Sequence, residues 1–564
     1  MNVEEQALAE EKKALVAAEK AGGVAALTLY VKKSGPGWLQ SAITLGGGSL
    51  SGSLYLGILA GFSLMWLQPV AMIMGVMMLS SISYVTLSTG KRPFHAINDH
   101  INPVLGWGWA IATLMANIVW CLPQFSLGTA AVTQNLIPAL NNTGGKVLVC
   151  VLLLATASTV IYFYESGAKG VRVFEWILKG MVAVVVLSFF GVVFKMSVTG
   201  DGLPWMNILA GFSPDLSMFS RPSHEFAEVL ARTDTFGDYW SGKIVTMQRD
   251  VMITAVATAV GINMTFLLPY SMLKKGWGKE HRGLAIFDLS TGLFVPFLLA
   301  TSCVVIAAAS QFHAKPDSSL IMGTNESKGL LGQYEGILKA RLKAEIGADS
   351  YTQLSQDETS MTSRLSELPM ADKQMASMLV KRDAFHLAQS LETLTGKTFS
   401  HVVFGIGVLG MALSTIIILM LISGFTVCEI AGLPHKGMAH FGGCMLAGLG
   451  VLGPFVWSGK TQFWLAVPTS VFGMTLLPIA YFTFFLMINN KGLMGSNLPK
   501  GKLRIVINLL LLVALSLATF GAGWSIWSKI QWVGVALVGV FIGAAVIVHF
   551  VRPPLKVEPD SKTN

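Results

Sequence analysis

The sequence predicts an all-α protein that crosses a membrane many times. Apolar residues make up 53% of the chain and charged residues only 13%, and the mean hydropathy is +0.60. A soluble chain of 564 residues is more polar than this. The net charge of +9 fits basic loops on the cytoplasmic side of a membrane, so we expect the lipid bilayer as a partner and no nucleic acid.

Twelve apolar segments are each long enough, at about 20 residues, to cross the hydrocarbon core as a helix. Basic residues such as Lys91, Arg92 and Lys169 follow alternate segments. This pattern predicts that both termini are cytoplasmic and that the chain lies in a cell membrane, plasma or inner. The predicted spans are 38–60, 64–88, 105–137, 146–164, 174–197, 251–273, 284–310, 400–425, 438–456, 462–488, 503–526 and 531–551.

Three consecutive glycines, Gly46, Gly47 and Gly48, interrupt the first span. Glycine at a helix centre costs about 1 kcal/mol relative to Ala, and unwound backbone in hydrocarbon is tolerated only inside protein or beside a cavity. The sixth span carries a matching interruption over residues 261–265. If spans one to five and six to ten are inverted repeats, the two broken helices correspond, which is the pattern of a transporter's substrate site.

The repeats give the chain its expected organisation. A charged segment without the apolar core of a signal peptide comes first and is predicted to be cytoplasmic. The insertion 311–397 is polar, and its stretch LGQYEGILKARLKAEI has helical periodicity, which predicts a small extracellular cap. The predicted parts are the N-terminal segment 1–34, the first repeat 35–200, an extracellular loop 201–250, the second repeat 251–490 with its insertion, two further helices over 491–551 and a cytoplasmic tail 552–564.

The glycines of the first span favour an anionic ligand. We expect helix to resume near Ser49, where unpaired N–H groups and the positive end of the helix dipole would face a ligand that glycine lets approach. Carbonyl groups of the sixth span would accept from an ammonium group, so the first expectation is a zwitterion, an amino acid. The predicted substrate-binding residues are Gly46, Gly47, Gly48, Ser49, Ser51, Gln124, Asn263, Thr265, Phe266 and Tyr270.

Ser414 and Thr415 in the eighth span are candidates for a sodium site with carbonyls of the first helix. Their alternative is a hydrogen bond to their own helix one turn back. Na⁺ or H⁺ is the expected coupling ion, and we expect neither a cofactor nor a resident metal. The sequence contains no P-loop, histidine cluster or nucleophile elbow, so no enzyme is predicted. A non-transporting membrane sensor is the alternative of another class, and we expect a monomer.

Several stretches together resemble the Nramp metal-transporter family. The resemblance runs from about residue 35 to 495, apart from the two long polar segments. It implies the LeuT-type fold, with twelve membrane helices, a 5+5 inverted repeat and broken helices 1 and 6. The stretches are GPGWLQSAITL, LSTGKR, HRGLAIFDLSTGLFVPFLL, GMALSTII and FTFFLMINNKGLMG.

The departures from the family concern its metal ligands. Family members read Asp-Pro-Gly-Asn where this chain has residues 46–49, and Met-Pro-His where the best ungapped placement has residues 265–267. The acidic residues of the family's third helix are replaced by uncharged ones such as Asn117. We therefore expect a related transporter that is remodelled for a small organic solute. The alternative is a divalent cation, Mg²⁺ or Mn²⁺, held by backbone carbonyls, Ser49 and Asn263.

Overall fold

The computed structural model describes residues 3–199, 202–324, 328–382, 384–392, 396–456 and 466–552. These ranges contain helices and no strand. Eleven of the helices are long and apolar enough to cross a membrane, and a bent pair raises the number to twelve. The predicted all-α architecture with twelve spans is therefore confirmed. The predicted tail lies, apart from Arg552, outside the described residues.

The first half of the chain forms an N-terminal pair of helices and the first five spans. After α7 the chain continues as a π-helical turn over Ala131–Leu136. The helices are α1 (Val3–Ala21), α2 (Gly23–Lys33), α3 (Pro36–Thr44), α4 (Gly47–Ala60), α5 (Leu67–Thr89), α6 (Pro93–His100), α7 (Pro103–Ala130), α8 (Thr143–Glu165) and α9 (Ala168–Val198).

Short helices, α10 (Trp205–Ala210) and α11 (Ala227–Ala231), lead into the second half. Here the π-helical turn Ser290–Phe294 joins two helices of one span. The helices up to the end of the cap are α12 (Gly237–Ala259), α13 (Ile262–Lys274), α14 (Arg282–Leu289), α15 (Val295–Phe312), α16 (Ser318–Met322), α17 (Lys328–Ile346), α18 (Ala348–Leu354), α19 (Glu358–Ser366), α20 (Met370–Met378) and α21 (Ala384–Ser390).

The remaining helices complete the second half. The longest, α22, has 35 residues and is buried along most of its length, whereas α28 at the periphery buries only Gly534. The helices are α22 (Lys397–Ala431), α23 (Gly437–Gly448), α24 (Gly453–Val456), α25 (Ala466–Asn489), α26 (Lys491–Met494), α27 (Gly501–Lys529) and α28 (Gln531–Val551).

Helix ends follow ordinary capping chemistry. Asn102 precedes α7 and its side chain accepts from the Val104 N–H at 2.8 Å. Asn142 caps α8 in the same way, and Gly90 ends α5 with a φ of 66°, a conformation that glycine adopts without strain. These local signals explain why the apolar segments become separate helices.

The two faces of the helix bundle carry different extensions. On the face where α3 begins, which we call the N side, α1 and α2 are held by Glu11, which lies 2.7 Å from the Lys33 ammonium and 3.5 Å from His281. On the opposite face, the cap side, helices α16 to α21 form the predicted helical cap. Arg382 fixes the cap, because it lies 3.0 Å from Asp317 and stacks over the Phe312 ring of α15.

Candidate functional site

The first membrane helix breaks at Leu45 and Gly46. The axes of α3 and α4 meet there at 55°. Gly46 has an extended backbone, with φ −117° and ψ −175°, and helix follows it directly. The predicted interruption is therefore present. However, Gly47, Gly48 and Ser49 form the first turn of α4, so helix resumes two residues earlier than we expected.

Each of the three glycines packs against a different helix. The Gly47 N–H also donates to Oε1 of Gln124 at 2.8 Å, so the expectation that this amide is open to a ligand is wrong in this conformation. The close packing explains the glycines as much as ligand access does. A Cβ added at Gly46 would lie 2.5 Å from Thr415 Oγ1 of α22, at Gly47 2.8 Å from Leu127 Cδ2 of α7, and at Gly48 2.9 Å from Thr258 Cγ2 of α12.

The sixth membrane helix is interrupted at Val260 and Gly261. Both residues have extended backbone between the end of α12 and the start of α13. The break lies at the beginning of the range that we expected, so Asn263 and Thr265 are already helical. The two halves continue as one span, Asp234–Lys274, without the sharp bend of the first helix.

Neutral oxygen atoms and one sulfur atom meet between the two breaks. The Thr44 hydroxyl, at the end of α3, lies 3.2 Å from Sδ of Met264 and 3.4 Å from the Ala259 carbonyl oxygen. The Ser49 hydroxyl donates to the Thr44 carbonyl and lies 3.4 Å from the carbonyl oxygen of Thr258. A thioether, two hydroxyls and three carbonyls therefore lie within one connected network.

Met264 corrects an expectation from the family resemblance. The ungapped placement assigned the family's Met-Pro-His to residues 265–267, which left the site without a thioether. The structure brings Met264, one residue earlier, against the first helix. Its side chain is 1% exposed. Sequence reasoning missed Met264 because an alignment that is shifted by one residue matches a different face of the sixth helix to the family's metal ligands.

Three amide side chains around the breaks lack partners. Gln40, Asn117 and Asn263 are fully buried, and five of their six amide atoms have no hydrogen-bond partner within the described ranges. Gln40 lies one turn before the Thr44 end of α3. Buried polar groups in native proteins nearly always have a hydrogen-bond partner, so these amides have unused capacity to bind water or a ligand.

Asn117 belongs to α7, a helix that packs against the sixth membrane helix. On one side of it, the Trp109 indole donates to the Thr265 hydroxyl at 2.9 Å. On the other side, the Trp120 ring lies so close to Gly261 that a Cβ there would be 2.5 Å away. Asn117 lies about one turn before Trp120 along α7, the residue that covers Gly261.

Other predicted site residues have structural contacts. Phe266 stacks between Trp109 and Tyr270, with both ring separations at 4.6 Å. The Ser51 hydroxyl donates to the Gly48 carbonyl of its own helix at 3.0 Å. Thr265, besides accepting from Trp109, donates to a carbonyl in its own first turn. The four side chains therefore take part in packing and helix bonding, whereas the buried Tyr270 hydroxyl has no hydrogen-bond partner among the described residues.

The hydroxyls of Ser414 and Thr415 lie against carbonyl groups of α3. The Ser414 hydroxyl donates to the Ala42 carbonyl at 2.9 Å, and the Thr415 hydroxyl is 3.3 Å from the same oxygen and 3.4 Å from the Ile43 carbonyl. Ser414 also lies 3.2 Å from a carbonyl in its own helix. The two hydroxyls therefore contact carbonyl groups in the last turn of α3, and their role in a sodium site stays a prediction.

Asp288 binds the residues at the start of the first membrane helix, on the N side. Its carboxylate accepts from the Ser34 hydroxyl and from the backbone N–H groups of Gly35 at 3.0 Å and Gly37 at 2.6 Å. Asp288 is 1% exposed. Sequence reasoning did not identify it, because Asp288 is 251 residues away from Gly37 and no local pattern links them.

Among the described residues, no group of three or more His, Cys, Asp or Glu side chains is arranged to hold a metal ion.

A family model described as "Natural resistance-associated macrophage protein-like" matches residues 37–338 and 371–523. Among solved structures, the Eremococcus coleocola manganese transporter aligns with a TM-score of 0.62 and 11% identity, over 94% of this chain and 95% of that one. This likeness shows the LeuT-type fold.

Curated relatives match shorter parts of the chain. "Metal transporter Nramp2" of Populus trichocarpa is 30% identical over 158 residues, which is 28% of each chain. "Manganese transporter pdt1" of Schizosaccharomyces pombe is 23% identical over 321 residues, which is 56% of this chain and 58% of the relative. The matched part thus spans less than two thirds of either relative.

Proposed function

Because the chain belongs to the Nramp family of membrane transporters, we propose that it carries a divalent metal cation between the two helix breaks by alternating access. Two findings support this cargo over the amino acid that the sequence favoured. The relatives are named as metal and manganese transporters. The second finding carries the proposal: the Met264 sulfur lies 3.2 Å from the Thr44 hydroxyl, next to the breaks of both helices.

The donor set defines which cation suits this site. Mn²⁺ accepts oxygen ligands and tolerates a thioether, whereas Mg²⁺ requires oxygen alone. No acidic residue occurs in residues 42–51 or 258–267, so the protein leaves the charge of the cation uncompensated there. The ion therefore keeps part of its water shell and binds weakly. The unpartnered amides of Gln40, Asn117 and Asn263 suit those waters.

Transport requires the N side to open. The hydrogen bonds from residues 34–37 to Asp288 hold α3 against α14, and their release would free α3 to move about the break at Gly46. Ser414 and Thr415 face the same half-helix, so a sodium ion bound there would stabilise one position of α3. We therefore propose Na⁺ as the coupling ion, with H⁺ as the alternative. From the basic loops, we also propose that both termini lie in the cytoplasm.

An amino acid is the second candidate cargo. The same three amides favour it, because uncharged donors and acceptors suit the polar groups of an organic solute. Such a solute would displace water that a hydrated cation retains.

Uptake into proteoliposomes decides between the two cargoes. We expect saturable Mn²⁺ uptake at high micromolar to millimolar concentration, and weaker Mg²⁺ uptake, measured with fluorescent metal indicators. Radiolabelled amino acids should neither enter nor compete. Uptake of an amino acid with no response to either metal would overturn the metal proposal in favour of the second candidate. Replacing external Na⁺ by choline tests the coupling ion, since uptake should then fall.

A further inference from the structure

The helices α1 and α2, which precede the first membrane helix, form a hairpin on the N side. The Tyr30 hydroxyl of α2 donates to Glu19 of α1 at 2.7 Å, and the Lys33 ammonium lies 2.7 Å from Glu11. Leu15 of α1 is fully buried. Contacts at both ends of α2 therefore hold the two helices together.

The hairpin lies against the N-side end of the membrane bundle. The Tyr30 ring of α2 is 5.6 Å from the Phe287 ring of α14, which belongs to a membrane span. The first membrane helix begins at Pro36, three residues after Lys33, and three extended residues cover at most about 11 Å. The end of α2 therefore lies within reach of the membrane surface.

The exposed face of α2 is apolar. Val24, Leu27 and Val31 recur at the spacing of one helical stripe and are 81%, 50% and 67% exposed. The helix contains no acidic residue. An apolar stripe of this kind is expected where a helix contacts lipid or another protein.

The exposed face of α1 is polar by comparison. Its sequence contains five glutamates, and its exposed side chains include Glu10 and Lys13. Because the two helices are held together, the hairpin has one apolar and one charged surface. This difference favours water next to α1 and the bilayer next to α2.

The surface beside α2 also points to the bilayer as its partner. Ile286 of α14 adjoins Phe287 in sequence, belongs to the same membrane span and is 48% exposed. An exposed isoleucine within a span faces lipid. Lipid is therefore already next to the helix on which α2 packs.

We propose that α2 lies in the headgroup region of the N-side leaflet, with the stripe of Val24, Leu27 and Val31 turned toward the acyl chains. Amphipathic helices of this kind lie in the plane of the interface, with the apolar face about 5–10 Å deep. Lys32 is exposed next to the stripe, and its long side chain can extend to the lipid phosphates.

The position of α2 has a consequence for α3. The residues between the two helices, Ser34 and Gly35, donate to Asp288, so the lipid contact and these hydrogen bonds act at the same junction. When α3 moves, α2 has to change its depth or tilt in the leaflet. This consequence rests on the proposed function, whereas the position of α2 does not.

Spin labelling of the full-length chain tests this position. Lipid nanodiscs of phosphatidylcholine and phosphatidylglycerol leave both faces of the protein open to reagents in water. All five natural cysteines are buried, so a nitroxide attaches selectively to an added, exposed cysteine. Leu27→Cys and Val31→Cys place the label on the stripe. Ala17→Cys is the matched control, because Ala17 is exposed on the same face of α1 as Glu10.

The measured quantity is the ratio of two collision rates of the nitroxide, with oxygen, which concentrates in lipid, and with a nickel chelate, which stays in water. We expect this ratio to be roughly tenfold higher at both stripe positions than at Ala17. Thermal midpoints equal to that of the unmodified chain establish that the labelled variants are folded.

Two results would overturn the proposal. Stripe labels that collide with the nickel chelate as often as the Ala17 label would show that α2 lies in water. Stripe labels shielded from both reagents would show that protein covers the stripe, and dipolar broadening of their spectra would identify that protein as a second copy of the chain. Neither measurement involves a transported solute, so this proposal and the metal proposal fail separately.

Discussion

At the scale of single residues, the thioether of Met264 is the softest donor that the described residues bring to the breaks. Met264→Leu keeps the side-chain volume and removes the sulfur, a replacement that costs less than about 1.5 kcal/mol in most cores. We expect Mn²⁺ uptake to weaken roughly tenfold, equivalent to about 1.4 kcal/mol, while Mg²⁺ uptake changes little. The ratio of the two uptake rates in proteoliposomes measures this.

Leu267→Met is the matched control, because it adds a thioether elsewhere in α13, at the position where the ungapped placement puts the histidine of the family's Met-Pro-His. It should not increase Mn²⁺ uptake. A folded Met264→Leu variant with an unchanged ratio would show that sulfur contributes nothing to selection, and the metal proposal would lose its main support.

The three glycines also yield a residue-scale prediction, which differs from the one that the sequence favours. A helix propensity argument expects Ala at these positions to be harmless to folding. The structure places a Cβ at Gly46 2.5 Å from Thr415 Oγ1, and overpacking of this kind typically costs about 1–3 kcal/mol. Gly46→Ala should therefore lower the thermal midpoint, whereas Gly52→Ala, whose nearest atom is 3.5 Å away, should not. Equal midpoints would contradict the close packing of this break.

At the scale of elements, α3 is the half-helix that has to move, and Asp288 holds its first turn. Asp288→Asn removes the charge of a carboxylate that accepts three hydrogen bonds. Each charge-assisted bond contributes about 1.5–3 kcal/mol, so amide hydrogen exchange over residues 35–38 should accelerate at least tenfold. Asp99→Asn, at an exposed carboxylate on the same face, is the control. Unchanged exchange in Asp288→Asn would mean that other contacts hold α3.

The opposite end of the first helix is held by His313, whose Nδ1 lies 2.9 Å from the Ile58 carbonyl oxygen. The hydrogen bond of His313 is the main reason that the pKa of Glu225 is lowered to about 2. Because this value lies below the ordinary 4.5, the carboxylate stabilises the fold above pH 4.5, and the contribution is lost as the pH falls toward 2. Glu225→Gln should reduce the acid dependence of the thermal midpoint in this range. Glu228→Gln, at an exposed position in the adjoining helix α11, should leave it unchanged.

At the scale of the whole molecule, local patterns predicted the architecture and only part of the site. Apolar length predicts spans, and adjacent glycines predict the break at Gly46, because both are properties of one segment. Ser414 and Thr415 are neighbouring hydroxyls in one membrane helix, so the sequence could single them out, and their sodium role stays a prediction. Asp288 was missed, since its partners are distant in sequence. The register of the sixth helix, and with it Met264, depended on packing between helices.

Two tryptophans give the protein a built-in spectroscopic reporter. Trp109 bonds to the Thr265 hydroxyl, and Trp120 covers Gly261 and lies close to Gly473 of α25. Both indoles therefore lie against the segment that changes shape if the sixth helix moves. Incorporation of 5-fluorotryptophan would label the 14 tryptophans of the chain, and single Trp→Phe changes would assign the ¹⁹F resonances of these two. The populations of the conformations could then be read from their peak areas in a working bilayer, without a dye near the site.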